Sequence, residues 1–438
     1  MAHLLVIESW VGSMSRLLPR ALGENGHRFT FLTRDLHHYL RAAVPADGPH
    51  PLLAAENVLT ADTNDPAVLL PYAERLHGLL GFDGVLSSCD YYLPQVARVA
   101  RRLGLPGPDP EAVTAACRKD LTRRTLAGAG VPGPAYALCA DREQARAAAR
   151  AIGYPLVVKP VDLCAGMFVR EVADEAALLA AIRALESFPV NARGQRREPS
   201  VLIEELLTGP EVSVETVSAD GVAHVVGITD KSVGGAPAFV ETGHMFPAPL
   251  DPADAAAAAG TAVAALTALG LDQVVAHTEI KLTPAGPRVV EVNPRPAGNR
   301  ITELVRRVTG VDLAAAAVDV ALGRRPDLAV HPTGVASAAI AFLVPGEFPV
   351  PGEGRAGLLD GFDGEAAVRL DPAVVELSLA GPGREVRPAT SNNEYLGHVM
   401  TADTGGPGAR GAAERLLAGL SPRYAAADCP AEPAAVPA

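Results

Sequence analysis

The chain has 438 residues, 48% hydrophobic and 20% charged, so it can bury large cores and is neither disordered, collagenous nor a small disulfide-stapled protein. At about 150 residues for each domain, this length corresponds to roughly three domains. The formal charge of -12 and an isoelectric point near 5.4 argue against a general nucleic-acid groove, because phosphate binding needs clustered Lys and Arg, and no nucleic-acid partner is expected.

The first hundred residues alternate short apolar runs with helical segments. The apolar runs predict strands at residues 4–7, 29–32 and 85–88, and helices are expected between them and at 93–103. Strands that alternate with helices form parallel sheets. Residues 1–105 are therefore predicted to be an N-terminal α/β domain, which ends at the proline-rich segment 105–110.

Residues 106–205 predict an α+β subdomain. Two helices are expected around Lys119, followed by a series of elements at 141–152 (helix), 155–160 (strand), 167–172 (strand), 174–186 (helix) and 201–205 (strand). We predict that this unit forms a helical linker and a lid.

Alternating polar and apolar residues predict antiparallel strands within 209–245 and 274–293. The intervening segment Ala255–Leu271 is uncharged and alanine-rich, but it is too short and too weakly apolar for a membrane span of about 20 residues, so a buried helix is expected. Together with helices near 300–322, these elements define an antiparallel-sheet subdomain at 206–330. A β-rich region with a helix at 411–420 is predicted for 331–425, and a disordered tail for 426–438.

The segment Val274–Pro296 is the most informative part of the chain, because it predicts a hairpin around Pro284-Ala285-Gly286. Pro and Ala suit a type I turn and Gly the following left-handed position, which gives a three-residue loop with Thr283 paired to Pro287. This register places three pairs on one face of the hairpin: Glu279 with Glu291, His277 with Asn293, and Lys281 with Val289.

Facing carboxylates have Cβ atoms about 4.5–5.5 Å apart and repel each other unless a cation lies between them. Mg²⁺ prefers oxygen ligands and usually takes one or two carboxylates together with substrate phosphates. Glu279, Glu291 and Asn293 supply such a set. The alternative is a solvated charged ladder in which Lys281 neutralises Glu291 diagonally.

Lysine is rare in this chain, with four residues against 34 arginines: Lys119, Lys159, Lys231 and Lys281. Because an ammonium and a guanidinium differ at close phosphate contacts, most of the four are predicted to be site residues. Lys159 ends an apolar strand, and Lys119 lies one helical turn from Arg123 on the same face. A surface strand end and a solvated basic helix are the alternatives.

Three motifs, in this order and at these distances, resemble the ATP-grasp superfamily of carboxylate–amine ligases. They are Val157-Val158-Lys159-Pro160, then Ile203-Glu204-Glu205-Leu206-Leu207 with Gly209 and Glu211, and finally Glu279 with Glu291-Val292-Asn293-Pro294-Arg295-Pro296. The resemblance covers residues 1–330. It implies the ATP-grasp fold, an α/β and α+β architecture with an N-terminal parallel domain and a C-terminal β-rich region.

The resemblance also implies how ATP is bound. Lys119 and Lys159 would contact the phosphates and adenine, and Glu211 would take the ribose hydroxyls. The adenine edge would be held, largely by backbone groups, at the segment Glu204, Glu205 and Leu207. In such enzymes the loop over the phosphates is rich in Gly and Ser, but the matching span 162–168 offers only Gly166 and the small Ala165. Gly166 and Met167 are still assigned to ATP, although fewer glycines expose fewer backbone N–H groups.

The same resemblance implies the reaction centre. Glu279, Glu291 and Asn293 match the magnesium ligands, in agreement with the hairpin argument, and Arg295 matches an arginine near the transferring phosphate and the intermediate. Lys231 and Lys281 can offset the charge that moves during the reaction, and Lys281 also counts as an ATP ligand. ATP and two Mg²⁺ ions, for which Mn²⁺ can substitute, are the implied cofactors.

Residues 239–247 are similar to the Glu-Thr-Gly-His segment of the L-amino acid ligases, which make dipeptides. By this similarity Glu241 and His244 lie at the amino-acid site. There His244 would either take the proton of the attacking amine, as a catalytic residue, or orient a substrate. A loop histidine satisfied by its neighbours is the alternative. Asn299 is expected either to line the substrate pocket or to cap a helix.

The expected activity is ATP-dependent amide formation between a carboxylate and an amine, both small molecules, through an acyl phosphate. Two alternatives stay open: an ATP-grasp ligase or carboxylase with a non-amino-acid acceptor such as bicarbonate, and a non-catalytic ATP-binding protein. No P-loop, zinc-protease or serine-hydrolase motif is present. A homodimer is favoured as the commonest soluble oligomer.

Cysteine usage favours a reducing compartment. The five cysteines form no CxxC or Cys/His pair, and the N-terminal residues lack the basic leader of a signal peptide. A cytoplasmic location, with no membrane partner, is therefore expected.

Overall fold

The computed structural model describes residues 1–9, 12–40, 49–234, 237–346 and 357–425. The tail predicted to be disordered, 426–438, lies outside the described residues.

The N-terminal region is a parallel α/β domain, as predicted. Its elements are β1 (His3–Ile7), α1 (Met14–Glu24), β2 (Arg28–Thr33), α2 (Leu36–Leu40), a 3-10 turn (Pro51–Ala54), β3 (Asn57–Thr60), α3 (Pro66–Leu80), β4 (Gly84–Leu86) and α4 (Leu93–Leu103). All pairings in the sheet β3-β2-β1-β4 are parallel. Strand β3 was not predicted, because its short sequence alternates half-buried and exposed residues at the sheet edge.

The second region is an α+β unit. Its elements are α5 (Pro110–Cys117), α6 (Lys119–Gly128), β5 (Tyr136–Cys139), α7 (Arg142–Ile152), β6 (Leu156–Pro160), β7 (Arg170–Val172), α8 (Glu175–Glu186) and β8 (Val201–Glu205). Asp141 and Asp174 cap α7 and α8 by accepting backbone N–H bonds, which fixes where the two helices begin. Both helices pack on one antiparallel sheet, β5-β8-β6-β7.

The remainder is built around one eight-stranded sheet. Its elements are β9 (Glu211–Ala219), β10 (Val222–Val233), β11 (Glu241–Phe246), α9 (Pro252–Leu269), β12 (Val274–Thr283), β13 (Gly286–Asn293), α10 (Ile301–Thr309), α11 (Leu313–Ala321), β14 (Ser337–Leu343), β15 (Gly357–Asp363), α12 (Glu365–Leu370), β16 (Val374–Leu379), β17 (Glu385–Val386), β18 (Gly397–Asp403), α13 (Ala409–Leu417) and β19 (Ser421–Tyr424). The antiparallel order is β13-β12-β9-β10-β11-β14-β18-β16, with β17-β15-β19 as a smaller sheet. Strands from 331–425 thus extend the sheet of 206–330, and the two predicted units share one structural layer.

The alanine-rich helix α9 buries one face rather than its whole surface, which corrects the expectation of a buried helix. The buried residues recur at helical spacing: Ala258, Ala262, Ala265, Leu266 and Leu269. Among the described helices, α9 alone is long and apolar enough to cross a membrane, and a single such helix is weak evidence for a membrane protein. Its buried face lies in the cores beneath the central sheet.

The hairpin β12–β13 has the predicted register at one end only. His277 pairs with Asn293 and Glu279 with Glu291, as expected. A bulge then shifts the register, so Lys281 faces Arg288 rather than Val289, and Thr283 pairs with Gly286 rather than Pro287. The loop therefore has two residues, Pro284 and Ala285, instead of three.

Gly209 precedes β9 and approaches the hairpin backbone very closely. Its φ is +131°, and an added Cβ would lie 2.1 Å from the Leu282 carbonyl oxygen. We expect Gly209→Ala to lower the free energy of unfolding by about 3 kcal/mol, measured by urea denaturation. Gly26→Ala is the matched control: with a φ of +67° and no atom within 4 Å, it should cost only about 1 kcal/mol. Equal losses would contradict a steric cause.

Candidate active site

One cavity of about 530 Å³ gathers most of the predicted site residues. The predicted residues that line it are Lys119, Lys159, Gly166, Glu204, Glu205, Leu207, Glu211, Glu241, Glu279, Lys281, Glu291, Asn293, Arg295 and Asn299. Three predicted residues do not: Met167, Lys231 and His244. The walls come from α6, the loop 162–168, the segment after β8, the central sheet and the start of α10.

Lys159 belongs to a buried ion-pair cluster. Its Nζ lies 2.6 Å from Glu204 Oε2, and Arg123 Nε lies 2.6 Å from Glu204 Oε1. Burial lowers the pKa of Lys159 in spite of Glu204. Burial alone would raise the pKa of Glu204, but Arg123 and Lys159 lower it. The Glu204 side chain therefore orients the Lys159 ammonium and the Arg123 guanidinium. An adenine contact at this position would have to come from backbone groups.

Arg123 also explains how the bulge in the hairpin is held. Its guanidinium donates hydrogen bonds to the carbonyls of Val289 and Val290, 3.0 and 2.6 Å away. The bulge lies immediately beside Glu291, so α6 supports the strand that carries this carboxylate. The sequence places Arg123 on one face with Lys119 but gives no sign of this contact.

Lys119 begins α6 and faces the same carboxylate. Its Nζ lies 2.9 Å from Glu291 Oε1 and donates to the Leu163 carbonyl at 2.5 Å. Burial alone would lower the pKa of Lys119, but Glu291 raises it. Lys119 thus connects the loop 162–168 to the candidate metal-binding strand.

Lys231 is buried beneath the cavity, where it joins three carboxylates. Its Nζ lies 2.6 Å from Glu279, 3.0 Å from Glu241 and 3.4 Å from Glu211, and its side chain is 1% exposed. Burial alone would lower its pKa, but the three carboxylates raise it well above the usual range. Lys281 contacts this cluster of carboxylates from the cavity side: its Nζ lies 3.1 Å from Glu211 Oε2.

His277 extends this charge network. Its Nδ1 lies 3.0 Å from Glu215, and its Nε2 lies 3.3 Å from Glu279. Burial alone would lower its pKa, but Glu215 and the hydrogen bond with Glu279 raise it to about 9. Burial would likewise raise the pKa of Glu279, but Lys231 and His277 lower it. Glu279 is consequently held ionised.

The candidate metal ligands fit a hard cation. Glu279 and Glu291 face each other across the hairpin, and Asn293 adds an amide oxygen on the same side. Lys231 and Lys119 now neutralise the two carboxylates. Within the described ranges no cluster of three or more His, Cys, Asp or Glu could hold a metal. A set of two carboxylates and an amide matches Mg²⁺, which takes its other ligands from phosphates and water.

Glu241 also lines the cavity. It accepts a short hydrogen bond from Asn299 Nδ2, and its Oε2 lies 3.0 Å from His244 Nε2. Burial alone would raise its pKa, but Lys231 and His244 lower it well below the usual range. His244 is 1% exposed and lies behind Glu241. Asn299, in contrast, lines the cavity.

The C-terminal region contributes wall residues that sequence reasoning missed: Phe342, Asn392, Asn393, Tyr395 and His398. Tyr395 stacks on Phe342 with ring centroids 4.3 Å apart. No motif marked these residues, because the resemblance ended near residue 330. Arg300 was also missed. It lines the cavity and pairs with Glu303 and Glu376, and the only local signal was its place directly after Asn299.

Asn392 bridges the loop 162–168 and the Glu241 end. Its backbone N–H donates to the Ala165 carbonyl at 3.1 Å, and its Oδ1 accepts from the Glu241 N–H at 3.0 Å. Ala165 and Gly166 both have positive φ, +56° and +68°. This loop with few glycines is therefore held by the C-terminal region in addition to its own backbone.

Comparisons with known proteins agree with this architecture. Residues 22–107 match the ATP-grasp N-terminal domain, 152–303 the ATP-grasp domain, and 354–425 the L-amino acid ligase C-terminal domain 2. The fold is similar to a crystal structure of an L-amino acid ligase from Bacillus licheniformis, with a TM-score of 0.78, 23% identity and coverage of 97% of this chain and 99% of that one.

Sequence relatives are similar over long stretches. The uncharacterised protein y4rH of Sinorhizobium fredii is 31% identical over 86% of this chain and 76% of its own length. Human carnosine synthase 1 is 32% identical over 61% of this chain and 34% of its own. Alanine–anticapsin ligase of Bacillus subtilis is 28% identical over 58% of this chain and 57% of its own. The chain thus spans about a third to just over half of these two ligases.

The chain therefore belongs to the ATP-grasp superfamily. Within it, the chain has the C-terminal domain of the L-amino acid ligases and shares its fold with one of them.

Proposed function

We propose that the protein joins the carboxylate of one amino acid to the amine of another. The carboxylate oxygen attacks the γ-phosphorus of ATP and the bond to ADP breaks, which forms an acyl phosphate. The amine nitrogen then attacks the acyl carbon, phosphate leaves with the bonding electrons, and the nitrogen loses a proton. Phosphorylation is needed because a bare carboxylate is a poor acyl donor.

One observation carries this proposal: a single cavity is lined both by ammonium groups and by an ionised carboxylate beside an amide. Lys119, Lys159 and Lys281 line this cavity, where they would hold the phosphates. Ionised Glu241 also lines it, beside Asn299, where it suits the ammonium group of an amino acid. Arg295 also lines the cavity, and its permanent charge can meet the transferring phosphoryl group.

The adenosine would lie along the segment after β8. Leu206 and Leu207 line the cavity there, with Glu205 beside them, and Glu211 faces the ribose position between Lys231 and Lys281. Gly166 lines the cavity and would lie over the phosphates, whereas Met167 lies outside the cavity lining and would act through the loop. Bound at Glu279, Glu291 and Asn293, Mg²⁺ would offset the charge of the phosphate oxygens. Two such ions, with Mn²⁺ as a substitute, belong to this proposal.

Lys231 and His244 act from behind the cavity. Lys231 holds Glu211, Glu241 and Glu279 in one arrangement, and His244 orients Glu241. Lys231 and His244 therefore position groups that face the substrates and do not themselves contact the substrates.

The predicted domain division, a cytoplasmic location and a homodimer are part of the same proposal. The cysteines among the described residues, four free thiols, agree with a reducing compartment.

The decisive experiment measures ADP and phosphate release from Mg-ATP with pairs of amino acids, and identifies products by mass spectrometry. Release that requires two amino acids, with a product mass equal to their sum less water, would establish a dipeptide ligase. Release that requires bicarbonate or another acceptor would replace the amino-acid assignment. Nucleotide binding without ADP release on any panel would favour a non-catalytic protein.

His244→Ala should alter amino-acid use while ATP binding is kept. Without His244, Glu241 loses a hydrogen-bond partner at 3.0 Å and can rotate away from the ammonium. We expect the KM for one amino acid to rise about tenfold, since a charge-assisted hydrogen bond contributes roughly 1.5 kcal/mol. Steady-state kinetics with ATP and each amino acid varied in turn would check this. An unchanged amino-acid KM together with a raised ATP KM would contradict the assignment.

A further inference from the structure

Asp90 of the N-terminal domain forms an ion pair with the cavity residue Arg295. Asp90 follows β4, and its Oδ1 accepts a hydrogen bond from Arg295 Nε at 2.8 Å. Both side chains are 13% exposed. The two residues are 205 positions apart, so the contact joins the parallel domain to the end of the hairpin strand.

Stability gives little reason for this pair. Removing two charges from water is costly, and a buried ion pair often contributes no more than an apolar pair of the same size. Asp90 Oδ2 is also buried, with no hydrogen-bond partner within the described parts of the chain. An unsatisfied carboxylate oxygen next to a reaction cavity therefore calls for a functional reason.

The pair fixes the direction of the Arg295 guanidinium. Nε is held by Asp90, and Nη1 donates to the Pro296 carbonyl at 3.1 Å. Nη2 makes no hydrogen bond to any residue that the structure describes, while Arg295 itself lines the cavity. Two of the three guanidinium nitrogens are thus anchored, and the Nη2 donors are available to an anion in the cavity.

We propose that Asp90 is a positioning residue for the ligation reaction: it holds Arg295 so that the free Nη2 group faces the phosphoryl group in transfer. This inference rests on the proposed function. An arginine without this anchor samples several rotamers, so few molecules have the donors in place when negative charge develops.

The test compares Asp90→Asn with Asp230→Asn. Asp230 is a matched control, because its side chain is 16% exposed, it forms an ion pair with Arg410, and it lies outside the cavity lining. For Asp90→Asn we expect kcat to fall about 100-fold with little change in the KM for ATP, and Asp90→Glu to recover part of the loss. Asp230→Asn should keep wild-type kinetics. Wild-type kcat in Asp90→Asn, or an equal loss in both asparagine variants, would overturn the proposal.

A second measurement separates this inference from the proposed function. In the wild-type protein, the Arg295 Nε–Hε NMR signal, assigned by its loss in Arg295→Lys, should exchange slowly with solvent. Exchange should quicken in Asp90→Asn but not in Asp230→Asn. If the wild type ligates no pair of amino acids, the proposed function fails while exchange still reports on the anchor. Equal exchange in wild type and Asp90→Asn would overturn the anchor itself.

Discussion

Glu291→Gln should lower ligation, measured as amino-acid-dependent ADP release, on the order of 1000-fold. Glu291 faces Glu279 across the hairpin and forms an ion pair with the Lys119 ammonium at 2.9 Å. The amide keeps the shape of the side chain but removes the negative charge that a cation needs. The loss should therefore appear in turnover, with the fold preserved.

The control for this variant removes a carboxylate elsewhere. Glu186 forms an exposed ion pair with Arg142 and lies outside the cavity lining, so Glu186→Gln should keep full activity. A magnesium titration adds a specific readout, since Glu291→Gln should need more Mg²⁺ for half-maximal rate. Wild-type turnover and an unchanged magnesium requirement in Glu291→Gln would remove the metal-ligand assignment.

The hairpin shows which structural features a local sequence pattern can predict. Strict alternation fixes which side chains share a face, so the facing of Glu279 and Glu291 was predictable from the sequence alone. The register predicted for the turn end of the hairpin was wrong, because a bulge at Val290 shifts the strand pairing by one residue. That bulge is held by Arg123, 167 positions away, and such a contact leaves no trace in the local pattern.

The same distinction holds for the charge network around Lys231. The scarcity of lysine in the chain marked Lys231 as a site residue. The partners of Lys231, in contrast, depend on the order of the strands in the sheet. β10 lies between β9 and β11, so Lys231 pairs with Glu211 on one side and with His244 on the other. Burial beneath three carboxylates follows from this order, and it changes the expected role from contact with substrate to support of the residues that make it.

The C-terminal wall could not be predicted at all. Tyr395 and Asn392 reach the cavity because β14, β16 and β18 extend the central sheet past residue 330. Strand order in an antiparallel sheet is set by long-range packing rather than by local sequence. The substrate end of the cavity is therefore defined by residues whose own sequence context carries no motif.

Lys231→Met should lower the free energy of unfolding by about 3–5 kcal/mol, because it leaves three buried carboxylates without their common cation. Methionine fills similar space, so the loss arises from charge rather than from a cavity. Urea denaturation followed by circular dichroism would measure it. Lys281→Met is the comparison: Lys281 is 17% exposed and, among the described residues, pairs only with Glu211, so about 1 kcal/mol is expected.

A double variant distinguishes charge from general damage. Glu241→Gln in the wild-type background removes one partner of Lys231, 3.0 Å away, and should destabilise the protein. In the Lys231→Met background the same change removes one of three repelling charges and should recover part of the lost stability. Residues of one ion-pair network are expected to depart from additivity in this way. Additive losses from the two substitutions would show that Lys231 does not hold Glu241, and the link between the nucleotide and amino-acid ends of the cavity would have to lie in other residues.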